Sequence, residues 1–187
     1  MKTEPFATAR LAMRAVRVGD AAAAYAIFSD VEAMTFWSHP PHDSLEQTAE
    51  HLAKRIDSPD WRFWAITLPA DDRLIGTLGA HERRQGGVFE IGYSLVRSAR
   101  GRGYAAEAVG GLVNLLFGEG ARRVMADTDP DNAPSNRLLE RLGFTCEGRL
   151  RGEWETHIGV RDSLIWGRLA TDPAPDPATR PTAPPSG

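Results

Sequence analysis

The chain has 187 residues, of which 42% are hydrophobic and 25% charged, with a formal net charge of −3 at pH 7. These values predict one folded domain with a full hydrophobic core and give no electrostatic reason to expect a nucleic-acid or membrane partner. The single cysteine, Cys146, excludes an internal disulfide and a cysteine-rich metal site, and it is expected to be a small buried residue of a strand. Because no apolar run reaches membrane-spanning length and no signal-peptide pattern is present, we expect a cytoplasmic protein.

Periodicity and turn residues predict strands and helices in alternation along residues 8–170. Strands are expected at residues 10–15, 61–68, 73–84, 88–96, 122–127, 144–150 and 163–169. Helices are expected at residues 21–28, 44–56, 104–118 and 132–142, with Asp20, Ser44 and Asn132 as caps of the first, second and fourth. The strands between residues 61 and 96 follow one another through tight turns, which predicts an antiparallel meander.

The composition changes at Thr171. From there to Gly187 the chain is rich in proline and has no large apolar side chain. Such a segment cannot bury enough surface to offset the entropy lost on ordering. We therefore predict a folded domain over residues 1–170 and a disordered proline-rich tail over residues 171–187.

The strand at residues 88–96 leads through a basic, glycine-rich loop into a helix. The loop, residues 100–103, reads Arg-Gly-Arg-Gly. Glycines let the main chain approach a ligand closely, and the free N–H groups at a helix start favour an anion. A phosphate-binding loop is therefore predicted. It is not a Walker P-loop, since no Gly-Lys-Ser/Thr follows, and Ala106 stands where a dinucleotide-binding fingerprint has its third glycine.

This loop and three other segments resemble the GNAT superfamily of acetyl-CoA-dependent N-acetyltransferases. Residues 129–144, which end in Leu-Leu-Glu-Arg-Leu-Gly-Phe, are similar to the second signature of that superfamily. Residues 8–14 and 161–169 are similar to the first and last strands of its ribosomal-protein N-terminal acetyltransferase branch, the RimJ/RimL type. The resemblance implies an α/β (α+β) GNAT fold, with a mixed, mostly antiparallel central sheet that is splayed between its fourth and fifth strands and flanked by helices.

The resemblance also implies acetyl-CoA as co-substrate. In the superfamily the glycine-rich loop holds the coenzyme pyrophosphate, while the preceding strand and an asparagine hold the pantetheine arm. The residues at those positions here are Leu95, Val96, Arg100, Gly101, Arg102, Gly103, Tyr104, Ala105 and Asn132.

Acetyl transfer to an amine needs a base for the amine proton, and a carboxylate in a partly dry cleft can serve directly or through water. By the resemblance, Glu90 is the expected base, and a solvated carboxylate on the strand face is the competing interpretation. Ser135 matches the serine that protonates the leaving thiolate in the ribosomal-protein branch, and a capping role in its helix is the competing interpretation. The tyrosine acid of many superfamily members is absent, because its position is Leu139.

Three residues are candidates for binding the acceptor. Phe36 and Trp37 lie on a predicted loop, where exposed aromatic side chains favour a binding pocket. Glu107, in the first turn of the helix after the loop, is expected to order the acceptor amine or to have a structural role. His39 and His42 bracket two prolines, and two histidines alone are too few ligands for a metal site, so no metal is expected.

Three functions follow from these observations. The first is N-acetyl transfer from acetyl-CoA to a primary amine, with a protein N-terminus as one class of acceptor. The second is the same reaction on a small molecule such as a polyamine, an amino acid or an antibiotic. The third, outside the enzymes, is a non-catalytic module that senses acyl-CoA. The sequence leaves a homodimer open.

Overall fold

The structure is a computed structural model that describes residues 3–174, which form one β-sheet flanked by helices. The strands are β1 (Phe6–Ala7), β2 (Ala12–Ala15), β3 (Trp61–Leu68), β4 (Asp71–Arg84), β5 (Val88–Leu95), β6 (Arg123–Thr128), β7 (Thr145–Thr156) and β8 (Gly159–Leu169). The α-helices of these described residues are α1 (Ala21–Phe28), α2 (Val31–Met34), α3 (Leu45–Ile56), α4 (Tyr104–Gly118) and α5 (Ala133–Arg141). The predicted α/β fold class is confirmed.

The sheet forks between β5 and β6. The strand order is β1-β2-β3-β4-β5-β6-β8-β7, and every neighbouring pair is antiparallel except β5 and β6, which are parallel. These two strands pair at three register positions, from Val88–Arg123 to Glu90–Met125, and no ladder joins them beyond. The fork is the predicted splay, and it falls between the fifth and sixth strands because the short β1 precedes the predicted first strand.

Alternating side chains give the sheet two faces, each with its own core. On one face, Trp64, Leu78 and Ile91 pack with α4 and α5 in the larger core. On the other face, α1 and α3 lie mainly over β3 and β4 and enclose residues such as Phe28 and Ala65. A fully buried large apolar side chain contributes about 1.5–3 kcal/mol, so the two cores stabilise the sheet from both faces.

Two local predictions are wrong. Asp20 precedes α1 but does not cap it, because both of its carboxylate oxygens accept 2.8 Å hydrogen bonds from the Arg14 guanidinium, and one also accepts from the main-chain N–H of Arg17. Cys146 is exposed rather than buried, because β7 is the edge strand of the sheet. The predicted caps Ser44 and Asn132 do accept hydrogen bonds from the first turns of α3 and α5.

The hairpin of β7 and β8 is longer than predicted, and the far part of β7 is exposed along both faces. The predicted tail lies outside the described residues from position 175 onward. Before that point, Asp172 exchanges hydrogen bonds with the main chain of Leu169. Within residues 3–174, no helix is both long enough and apolar enough to cross a lipid bilayer.

Candidate active site

The loop at residues 100–103 has the backbone geometry of an anion cradle. Gly101 and Gly103 have φ angles of 74° and 77°, in the left-handed region that favours glycine. Gly103 is the residue before α4 and provides no side-chain cap. The N–H groups of the first turn, at Tyr104 and Ala105, therefore have no intrahelical partner and remain available to a negatively charged ligand.

The two predicted arginines of the loop differ in their contacts. The Arg100 guanidinium binds Asp30 at 2.9 Å and also donates to the carbonyl oxygen of Leu95, so it is held by its neighbours. The Arg102 side chain is exposed and makes no ion pair with any other residue between positions 3 and 174. It is therefore the arginine of this loop that is free to contact a phosphate.

Arg10 adds a second positive charge at the loop. Its guanidinium donates to the main-chain oxygen of Arg102 at 3.1 Å and lies 4.9 Å from the ring centroid of Tyr104. No local pattern marks Arg10 as a loop residue, because it is about ninety positions earlier in the chain and reaches the loop only through the fold. The similarity of residues 8–14 to a superfamily strand is the one signal that could have indicated it.

Glu107 ties the start of the chain to α4. One carboxylate oxygen accepts from the Thr8 hydroxyl at 2.6 Å and from the main-chain N–H of Arg10 at 2.7 Å, and the other accepts from the Arg10 side chain at 2.6 Å. Burial alone would raise the pKa of Glu107, but these hydrogen bonds outweigh it and hold the pKa below its ordinary value of 4.5. The carboxylate is therefore ionised and fully engaged, as a structural role requires, and its contact with an acceptor stays a prediction.

The fork leaves part of β5 without a partner on its β6 side. The predicted pantetheine residues Leu95 and Val96 lie at the open end of this strand. The main-chain N–H of Val96 donates to the carbonyl oxygen of Ile75 on β4, at 3.0 Å, so that side of the backbone is occupied. The opposite edge, which faces the gap, is where an extended ligand can add hydrogen bonds as a further strand would.

Tyr93 projects from this unpaired part of β5 on the face that carries α5. Its hydroxyl is buried and has no hydrogen-bond partner among the described residues. Burial raises the pKa of Tyr93 to about 12; the nearby Ser135 side chain offsets this in part but completes no hydrogen bond with the hydroxyl. The phenol is therefore protonated at neutral pH and has an unused donor. The sequence gives no signal for it, because Tyr93 reads as an ordinary apolar strand position.

Ser135 and Asn132 meet at the start of α5. The side-chain oxygen of Asn132 accepts from the main-chain N–H of Ser135 at 3.3 Å, which caps the helix. This arrangement leaves the Ser135 hydroxyl and the Asn132 amide nitrogen without hydrogen-bond partners among residues 3–174. The fold thus brings two predicted site residues together with Tyr93.

Glu90 occupies the fork on the opposite face of the sheet. It lies between His81 of β4 and Met125 of β6 in the cross-strand register. Its carboxylate forms an ion pair with Arg83, and its side chain is 17% exposed. Asp127, two residues beyond Met125 and hence on the same face, accepts from the indole N–H of Trp154 at 3.1 Å. Two carboxylates therefore flank the fork on this face.

His81 is a second titratable group beside Glu90. Its ring stacks on Trp61 with centroids 4.2 Å apart, and its Nδ1 is buried without a hydrogen-bond partner in the described part of the chain. Burial lowers the pKa of His81, and the charge of Glu90 opposes this only in part. The imidazole is therefore neutral at physiological pH and lies across the strand from the predicted base. The sequence provides no signal that distinguishes it.

The predicted acceptor loop lies against α1. Trp37 is half-buried and packs edge-on against Phe28, with ring centroids 6.4 Å apart. Phe36 is half-buried beside it. Their contact with an acceptor stays a prediction.

The comparisons with known sequences agree on one family. Residues 10–145 match the profile of a family described as the acetyltransferase (GNAT) domain. An uncharacterized N-acetyltransferase of Bacillus licheniformis, p20, is 32% identical over 154 residues, which are 79% of this chain and 86% of that protein.

Solved structures share the fold. A GNAT-family acetyltransferase from Bacillus anthracis matches with a TM-score of 0.83 and 22% identity, over 90% of this chain and all of that one. RimL, described as a ribosomal L7/L12 alpha-N-protein acetyltransferase in complex with coenzyme A, matches with a TM-score of 0.78 and 21% identity, over 89% of this chain and 98% of that one. These similarities confirm the predicted GNAT fold.

Proposed function

Because the chain belongs to the GNAT family and is an acetyl-CoA-dependent N-acetyltransferase, we propose that it acetylates the N-terminal amine of a polypeptide at the fork of its sheet. The observation that carries the proposal is the position of Glu90. It is the last residue of β5 that pairs with β6, so its carboxylate lies where the two strands part. A thioester whose arm enters the gap arrives beside it.

Coenzyme binding follows from the glycine loop and the unpaired edge. The pyrophosphate fits the main-chain N–H groups of residues 101 to 105, with Arg102 and Arg10 as the nearby positive charges. The pantetheine arm adds to the edge of β5 past Glu90 and reaches the Asn132 amide. Arg100 supports this loop through Asp30 rather than by touching the phosphate.

The reaction needs one bond made and one broken. The neutral amine nitrogen attacks the thioester carbonyl carbon, and the carbon–sulfur bond breaks as the tetrahedral intermediate collapses. Glu90 accepts the amine proton through a water molecule, and its ion pair with Arg83 fixes its orientation. His81 is the second candidate for this proton, since its neutral ring is on β4 directly opposite Glu90 in the strand register.

The leaving thiolate meets two hydroxyl groups near the gap. Ser135 is the predicted acid, and the protonated Tyr93 hydroxyl lies close to it with its donor unused. Coenzyme A thiolate is a fair leaving group, so a hydrogen bond from either hydroxyl assists without being indispensable. We assign Tyr93 and Ser135 jointly to this role.

The choice of acceptor rests on the face that carries Glu90. This face places the carboxylates of Glu90 and Asp127 beside the entering amine and is bordered by the exposed β7–β8 hairpin, whose Trp154 contacts Asp127. An exposed hairpin suits a chain that runs across the face more than a small molecule enclosed in a pocket. The fold similarity to RimL supports the same acceptor class and, with it, the ribosomal-protein branch.

The test is a comparison of acceptors in a thiol-release assay with acetyl-CoA. Short peptides with a free N-terminus and an internal lysine are matched with the same peptides blocked at the N-terminus, and with polyamines and free amino acids. We expect turnover with free N-termini only. Turnover with polyamines or amino acids alone would mean that the acceptor is a small molecule, while the assignment as an N-acetyltransferase would stand. Tight coenzyme binding with no turnover on any amine would indicate an acyl-CoA sensor.

A further inference from the structure

Three histidines converge at a place that the proposed reaction does not use. His39 and His42 lie on the segment between α2 and α3, and His51 lies on α3 itself. One ring nitrogen of each lies within 4.8 Å of those of the other two. The sequence shows only the first pair as neighbours, because His51 joins them through the fold of α3.

Hydrogen bonds fix which nitrogen of two rings carries the proton. The carbonyl oxygen of Pro40 can only accept, so the Nδ1 of His39, 3.0 Å away, is the protonated nitrogen. The Nδ1 of His42 lies 2.8 Å from the Thr48 hydroxyl, which is itself 3.4 Å from the carbonyl oxygen of Ser44; with the hydroxyl donating to that carbonyl, it accepts from the His42 Nδ1. With these hydrogen bonds, Nε2 is the ring nitrogen that each histidine can offer to a cation.

The lone pair of His39 is unsatisfied. Its Nε2 is buried and has no hydrogen-bond partner in the described part of the chain. A buried hydrogen-bond acceptor that has no donor destabilises the folded protein. A cation bound to the Nε2 of His39 would remove this free-energy cost, which no described protein group removes. His42 is also buried, and its ring stacks on Phe28 with centroids 5.0 Å apart.

We propose that His39, His42 and His51 form a binding site for a divalent transition-metal ion of the zinc type, with solvent as the fourth ligand. Three imidazoles suit such an ion, and histidine ligands usually donate their second ring nitrogen to a carbonyl or another oxygen, as His39 and His42 do here. An ion at the centre of a triangle with sides of at most 4.8 Å is at most about 2.8 Å from each corner, so each nitrogen moves inward by up to roughly 0.7 Å to reach the usual Zn–N distance. The rings of His39 and His42, which stack at an interplanar angle of 21°, also rotate so that their lone pairs converge on the ion.

The site fastens the predicted acceptor loop to α3. Trp37 lies two residues before His39, and the two rings have centroids 6.1 Å apart. An ion shared by His39, His42 and His51 therefore links the aromatic part of the loop to a helix that packs on β3. Its role is to order this loop, and it takes no part in the acetyl transfer.

The experiment is a Zn²⁺ titration of the untagged, chelator-treated full chain by calorimetry, with Co²⁺ absorption as a second readout. The wild type should bind one ion per chain and give the intense visible spectrum of four-coordinate Co²⁺. His39→Gln and His51→Gln should each bind at least about 100-fold more weakly, since loss of even an outer partner typically costs 10- to 100-fold. His157→Gln, at an exposed turn, is the matched control and should bind as the wild type does.

A pair of Thr48 variants separates coordination from nonspecific histidine binding. Thr48→Val removes the partner of the His42 Nδ1 and should weaken Zn²⁺ binding about 10-fold or more, whereas Thr48→Ser keeps a hydroxyl and should restore it. Circular dichroism without metal checks that each variant is folded. Absence of one-to-one binding by the wild type, or equal affinity of His51→Gln and His157→Gln, would overturn the proposal.

Discussion

Glu90 and Met125 form the last register pair between β5 and β6, and beyond them the two parallel strands have no ladder. The predicted base therefore lies at the branching point of the sheet. Before Glu90, the main chain of β5 pairs with β6. After Glu90, the same edge of β5 has no partner strand and is available to a ligand. The proposed base and the proposed site of the pantetheine arm are therefore adjacent, because the pairing of β5 with β6 stops at Glu90.

Gly103→Asp should weaken coenzyme A binding by at least about 10-fold, or roughly 1.4 kcal/mol. The substitution places a side chain in the left-handed region and a negative charge where the pyrophosphate is expected. Gly159→Asp is the matched control, because Gly159 also has a positive φ, of 104°, but is the first residue of β8, directly after the β7–β8 turn. A titration that finds the same affinity in both folded variants would refute the phosphate assignment.

Tyr93→Phe should separate activity from stability. Removing a buried hydroxyl that has no partner should leave the free energy of unfolding unchanged or raise it, by up to about 2 kcal/mol. Turnover should fall roughly 10-fold, because the thiolate loses a donor. Tyr25→Phe, which removes a hydroxyl on α1 bound to the carbonyl oxygen of Asp43, should leave turnover unchanged. Equal turnover of Tyr93→Phe and Tyr25→Phe would contradict the role of Tyr93 as a donor to the leaving thiolate.

Glu107→Gln should lower the free energy of unfolding by about 1–3 kcal/mol at pH 7, because its carboxylate accepts three hydrogen bonds from Thr8 and Arg10. The pKa of Glu107 is lower in the folded state, so this stability is present above the ordinary value of 4.5 and is lost as pH falls through the folded-state pKa.

Denaturant unfolding of wild type and variant between pH 3 and pH 7, the range that brackets the ordinary carboxyl pKa, should therefore show a difference that narrows toward acid. The exposed Glu140→Gln on α5 should stay within about 0.5 kcal/mol of wild type throughout. A difference that is constant over this pH range would mean that the ionised carboxylate is not what stabilises the contact.

Most of the fold could be predicted because burial imposes periodicity. In β5, Phe89 and Ile91 alternate with Glu90, and the structure places the two sets on opposite faces. Where a strand is not buried, its sequence shows no hydrophobic alternation and the strand cannot be predicted. Residues beyond Leu150 in β7 face water on both sides, so nothing in their order indicated a strand, and the two residues of β1 are too few to show a period.

The glycine loop could be located from local sequence, since Gly101 and Gly103 and a following helix are contiguous. The groups that complete the site could not. Arg10 reaches the loop, Tyr93 turns its hydroxyl toward Ser135, and His51 joins His39 through contacts between distant positions. Such contacts depend on packing and register, which a single sequence does not reveal.

Glu90→Gln keeps the shape and much of the hydrogen bonding of Glu90 but removes its ability to accept a proton. Its matched control is Glu147→Gln, which removes another carboxylate bound to an arginine: Glu147 on β7 pairs with Arg123 at the start of β6. Both variants should bind coenzyme A as the wild type does, because neither residue touches the phosphate loop.

The decisive measurement is turnover as a function of pH for wild type, Glu90→Gln and Glu147→Gln with a saturating peptide acceptor. We expect Glu90→Gln to lose roughly 100-fold or more in turnover at every pH, while Glu147→Gln follows the wild type. Turnover of Glu90→Gln within about threefold of wild type would contradict the assignment of the base and would leave His81 as the remaining candidate.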